Sequence, residues 1–262
     1  MTTKKIMIAI LCIAQLTAFA GKEKTKKPKQ IWYKPVTKEL KDVTIGTKDV
    51  FSEKDITKFR FDIKNNSKSF IIFKPTECTL KSGNTEVALN DKKKLVIKPF
   101  ESDYKILDAT STPEKSVYDM NIQFLVNGFY KVKTGDAEQL PDFTLPPSQK
   151  IVEIGDYRIE LLNYTFFAPP NLIYGTRCKF KITYIGEGMA VVEPKKITGI
   201  VPAGTIIVNS NLEKTFLLGR GESENINVVI LSNDLAKIVW NDAFKSATVD
   251  KLEDAVLNFD MQ

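Results

Sequence analysis

Apolar and polar residues alternate along most of this chain. Phe59, Phe61 and Ile63 alternate with Lys58, Arg60, Asp62 and Lys64, and Tyr118, Met120, Ile122, Phe124 and Val126 alternate with Asp119, Asn121 and Gln123. Successive strand side chains point to opposite faces, so a period of two with one polar face predicts half-buried antiparallel strands. Turn chemistry separates these runs at Lys64-Asn65-Asn66-Ser67, Lys81-Ser82-Gly83-Asn84, Asn90-Asp91, Ile185-Gly186-Glu187-Gly188 and Gly219-Arg220-Gly221. One stretch has another rhythm. Leu235, Ile238, Val239 and Ala243 recur at three- and four-residue spacing behind Ser232, Asn233 and Asp234, which predicts a short helix over Asp234 to Ala247.

The pattern occurs twice. Phe61 and Ile63 followed by Pro75 match Phe180 and Ile182 followed by Pro194, an offset of 119 residues that also aligns Cys78 with Ile197. Glu101-Ser102 matches Glu222-Ser223 at 121, and Met120 to Phe124 matches Ala255 to Phe259 at 135, so the predicted helix reads as an insertion between these blocks. About 100 residues of short strands per copy predicts an all-β protein of two tandem immunoglobulin-like antiparallel β-sandwich domains, the short helix inserted in the second. Domain 1 is expected over 36–133, a linker extended by Pro141, Pro146 and Pro147 over 134–149, and domain 2 over 150–262. The Cys-Trp-Cys core of antibody domains is missing.

The start of the chain changes where this protein is expected to work. Lys4 and Lys5, the apolar run Ile6 to Leu16 and Ala18-Phe19-Ala20 read as a secretory signal peptide over 1–20. Export follows, to the periplasm, cell surface or medium, with no transmembrane span after cleavage. Of the formal charge of +6, two lysines leave with the signal, and six lysines against Glu23 put +5 in a basic, flexible tail over 21–35; the body is left at −1. A nucleic-acid surface needs cations spread over a folded face, so no nucleic-acid partner is expected. Trp32-Tyr33, behind the tail, either pins the first strand to its domain or belongs to an aromatic ligand platform.

Candidate chemistry is sparse. The chain has no histidine, which removes Ser-His-Asp and Cys-His catalysis and imidazole zinc ligands. Cys78 and Cys178 share the apolar faces of different strands and read as buried free thiols in separate cores. Neither a glycine-rich phosphate loop nor a calcium loop is present, so no cofactor or metal is expected. Asn65-Asn66-Ser67 and Asn163-Tyr164-Thr165 fit the glycosylation sequon. Against the polar Ser52 to Asp55 of the first copy, the second has Phe166, Phe167, Ala168, Pro169, Pro170, Asn171, Leu172, Ile173 and Tyr174. These aromatics either cap the domain or, as a proline-stiffened loop that loses little entropy on binding, form a partner-binding patch of Phe166, Phe167, Leu172, Ile173 and Tyr174. The reading is a non-enzymatic binding or scaffold protein of a bacterial cell envelope, contacting a protein or glycan partner through domain 2 loops. The alternative is an exported glycan hydrolase working with two carboxylates.

Overall fold

The computed structural model describes residues 30–53, 55–111, 121–167, 174–211 and 213–262. The expected signal peptide, most of the basic tail, Tyr118 to Met120, Leu172 and Ile173 lie outside the described residues. The rest is all-β, antiparallel throughout, with no α-helix among the described residues. In particular, none is long and apolar enough to cross a membrane.

The first half contains β1 (Ile31–Trp32), β2 (Val36–Glu39), β3 (Val43–Glu53), β4 (Ile56–Asn65), β5 (Ile71–Phe73), β6 (Thr79–Ser82), β7 (Thr85–Ala88), β8 (Leu95–Ile97), β9 (Ser102–Thr110), β10 (Asn121–Val126) and β11 (Phe129–Ala137). Two short strands follow, β12 (Phe143–Thr144) and β13 (Ile151–Ile154). The second half repeats the series with β14 (Tyr157–Phe167), β15 (Gly175–Tyr184), β16 (Met189–Val192), β17 (Thr198–Ile200), β18 (Ile206–Val208), β19 (Phe216–Gly219), β20 (Ser223–Ile230), β21 (Lys237–Val239) and β22 (Phe244–Lys251), and β23 (Ala255–Asp260) closes the chain. Proline opens a single 3-10 turn at the same place in each half, at Pro75–Glu77 and Pro194–Lys196, as the 119-residue offset requires.

The strands form five sheets. The first half has β1-β3-β4-β9, with β2 also on β3, and the second has β13-β14-β15-β20. Facing these are β23-β10-β6-β7 and β12-β21-β17-β18, and one six-stranded sheet, β19-β16-β22-β11-β5-β8, runs through both halves. One core gathers Phe59, Phe61, Phe73, Phe124, Phe129 and Phe259, and the other Phe143, Tyr157, Phe180, Tyr184, Trp240 and Phe244. Cys78 and Cys178 lie buried and free, one in each. Burial pushes their thiols up to about 11 and about 12, so both are protonated and unreactive at neutral pH.

The two halves exchange strands. β23 pairs with β10, and its Ala255, Leu257 and Phe259 are buried in the first core, although 150–262 was expected to form domain 2 alone. Reciprocally, β12 pairs with β21 and buries Phe143 and Leu145 in the second core, from within the expected linker 134–149. The two segments aligned at the 135-residue offset are therefore neighbours, with Ile122 opposite Phe259 and Phe124 opposite Leu257. The counterpart of β10 is β21, and no insertion is needed.

The expected helix over Asp234 to Ala247 is absent. Lys237–Val239 and Phe244–Lys251 are strands joined by a tight turn in which Ala243 N donates to Trp240 O at 2.9 Å. Leu235, Ile238 and Ala243 all reach the core because the chain reverses between two strands, which imitates helical spacing. The basic tail is also shorter than 21–35: Ile31 and Trp32 pair with β3, and Tyr33 is buried against Phe259.

Candidate functional site

Alternation on the first sheet turns Phe59, Phe61 and Ile63 into the core and leaves their neighbours on the outer face. Register sets these neighbours in rows across the strands: Thr37, Gly46, Asp62 and Tyr104; then Lys48, Arg60 and Ile106; then Trp32, Phe51, Lys58 and Asp108. Large apolar groups stand out here. Tyr104 is 51% exposed, Ile106 46% and Trp32 44%, with the Trp32 ring 5.3 Å from that of Phe51. The Arg60 guanidinium lies over the Tyr104 ring, 4.0 Å from its centroid, and is tethered by Nε, which donates to Asp62 Oδ1 at 2.6 Å. Lys48 Nζ holds the other carboxylate oxygen at 3.0 Å. Burial alone would raise the Asp62 carboxyl, but hydrogen bonds from Arg60 and Lys48 outweigh it and keep the group below the usual carboxylate range. Beside them is a hollow of about 410 Å³, lined by Gly46, Arg60, Asp62, Lys64, Ser102 and Tyr104 among others.

The expected aromatic patch lies at the far end of the second half. Phe166 and Tyr174 are 59% and 52% exposed, and with Phe167 and Asn233 they line a surface hollow of about 420 Å³. Phe166 packs on Tyr164 at 5.2 Å, whereas Phe167 lies across β15 over Gly175, where a Cβ would come within 2.3 Å of the ring. The structure thus brings Phe166, Phe167 and Tyr174 together, and Leu172 and Ile173 fall outside the described residues.

Other candidate groups are tied into the structure. Asn65 is buried, its amide donating to Ser69 O at 2.7 Å and Lys98 O at 3.0 Å, so a glycan at the first sequon would have to break the turn it holds. No group of three or more Cys, Asp or Glu side chains is disposed to hold a metal among the described residues. Glu138 accepts a hydrogen bond from Tyr157 Oη at 3.2 Å; burial raises its carboxyl by more than that bond lowers it.

Arg60, Tyr104 and Gly46 carry no motif, and sequence reasoning missed them. A signal existed in the repeat: Tyr104 and Ile106 correspond to Asn225 and Asn227, polar as outward strand positions should be. Tyr104 and Ile106 lie beside Trp32 and Phe51 on one face, and it is such a grouping of exposed apolar side chains, rather than any single one, that departs from an ordinary surface.

The fold and these faces define an all-β protein that presents ordered aromatic and cationic side chains on sheet surfaces. No protein-family model matches the chain, and neither does any curated protein.

Proposed function

We propose that this chain is an exported, non-enzymatic binding protein of a bacterial cell envelope, built from two immunoglobulin-like sandwiches that hold a protein or glycan partner on their exposed aromatic surfaces. The observation that carries this reading is the Arg60–Tyr104 pair, an exposed aromatic capped by a tethered guanidinium on rigid strands rather than on loops. Side chains fixed in this way lose little rotamer freedom on contact, so binding energy is not spent on ordering them. The Phe166, Phe167 and Tyr174 end supplies a second apolar surface.

The test is capture from the native envelope. Mature protein immobilised and exposed to solubilised envelope should retain a saturable partner. Retention should fall at least tenfold in Arg60→Ala with Tyr104→Ala, or in Phe166→Ser with Tyr174→Ser, with thermal unfolding unchanged. An empty column, or a partner indifferent to both pairs, would overturn the reading.

A further inference from the structure

We propose that the outer face of β3, β4 and β9 is an acidic-saccharide site, where Arg60 and Lys64 take the sugar carboxylate and Tyr104 packs against the sugar ring; this rests on the binding reading and names its ligand class. Arg60 uses only Nε on Asp62, so its two Nη groups have no acceptor among the described residues. Contact with the Tyr104 ring at 4.0 Å and the Nε bond to Asp62 restrain the guanidinium from two sides, which leaves its Nη end as a held fork of the kind that takes a carboxylate by two hydrogen bonds. Both carboxylates lining the hollow are already engaged: Asp62 by Arg60 and Lys48, and Asp103, whose Oδ1 accepts from Tyr104 N at 2.8 Å. Lys48, Arg60 and Lys64 therefore outnumber them, and Lys64 has no anionic partner among the described residues.

The hollow's size, about 410 Å³, falls within the range of small-ligand sites. Thr37 and Ser102 hydroxyls lie on its wall, suited to sugar hydroxyls, and it offers one aromatic ring rather than paired apolar pockets for alternate peptide side chains. The second half is an internal control. At the positions of Gly46, Arg60, Asp62 and Tyr104 it has Glu160, Lys179, Lys181 and Asn225. The fold tolerates a filled floor and no aromatic there, so the cleared floor and the stacked ring of the first half are not needed to build the sheet.

The experiment probes the whole mature chain with an array of uronate- and sialate-terminated oligosaccharides, their methyl esters and neutral glycans. Carboxylated members should be retained and their methyl esters not. In titrations with a retained oligosaccharide, Arg60→Ala and Tyr104→Asn should weaken binding tenfold or more and Arg60→Lys by less. Gly46→Glu, which imports the floor of the second half, should abolish binding, while Asn225→Ala leaves it unchanged. Tyr104→Asn changes an exposed side chain to its own counterpart, so its loss of binding is separable from misfolding by an unchanged melting curve. No retained acidic glycan, retention unaffected by Tyr104→Asn, or preference for a glutamate-rich peptide would each overturn the assignment. An empty array beside a partner captured through Phe166 and Tyr174 would sink this site and leave the binding reading standing; failure of both experiments would remove both.

Discussion

Phe100 occupies a left-handed backbone position, φ 59°, with its side chain 62% exposed, in the turn where Glu101 N donates to Lys98 O at 3.1 Å. The same turn in the second half uses Gly221, φ 76°, and Glu222 N donates to Gly219 O at 2.9 Å. A bulky residue at positive φ costs on the order of 1–3 kcal/mol, and an exposed ring recovers little of it by packing. Phe100→Gly should therefore stabilise the protein by about 1 kcal/mol after the added freedom of the unfolded glycine is subtracted, read from the urea midpoint. Glu138 supplies a pH-dependent counterpart. Its carboxyl titrates above the ordinary value in the folded chain, so the folded state binds that proton more tightly. The associated stability is complete below the unfolded value of about 4.3 and is lost as pH rises through the folded value. Glu138→Gln keeps an acceptor for Tyr157 and removes the partly buried charge. It should melt higher than the parent at pH 7, and the difference should vanish at pH 4.

Short strands with exchanged partners are where the elements of this fold depart from simple patterning. Phe143 packs edge-on against Phe180 and Trp240, and Phe259 against Phe59. Phe143→Ala and Phe259→Ala should each cost about 3–5 kcal/mol in chemical denaturation, although one residue precedes the second half in sequence and the other follows the first half by more than a hundred residues. A linker side chain at Phe143 would instead leave stability unchanged. Long strands such as β4 and β15 were legible because their alternation is uninterrupted and their neighbours are fixed by the repeat. β12 was not: two residues among prolines carry no period, and only their pairing with β21 and the burial of Phe143 define them. β21 and β22 were hidden for the opposite reason, a reversal that set inward residues three and five apart. The face around Arg60 was unreadable along the chain because its members come from four strands and meet only through cross-strand register.

For the molecule as a whole, the six-stranded sheet is the joint. Phe129 opposite Phe73 corresponds to Phe244 opposite Val192, so β11 and β22 are counterparts, and they pair with each other. Their ladder maps onto itself: Val132 faces Val249, and the counterparts of these two, Ala247 and Thr134, face each other as well. This is the register of a two-fold axis within one chain. One face of the sheet covers both cores, and the other buries Phe70, Ile72, Val132, Val191 and Ala247 in a third cluster shared by the halves. Two ion pairs cross between the halves, Lys94 to Glu222 at 2.7 Å and Lys214 to Glu101 at 3.3 Å, each worth only about 0.2–1 kcal/mol at this exposure. The cores, the joint and the exchanged strands hold the halves together. The exchange also reaches back to how the protein is made. Synthesis delivers Ala255 to Asp260 after every other described strand, yet the first core needs them to close, so the front of a nascent chain has no finished native state to fall into while the back is still being synthesised. A chain built this way closes its first half only after its second half has been made, and locks both in one late step.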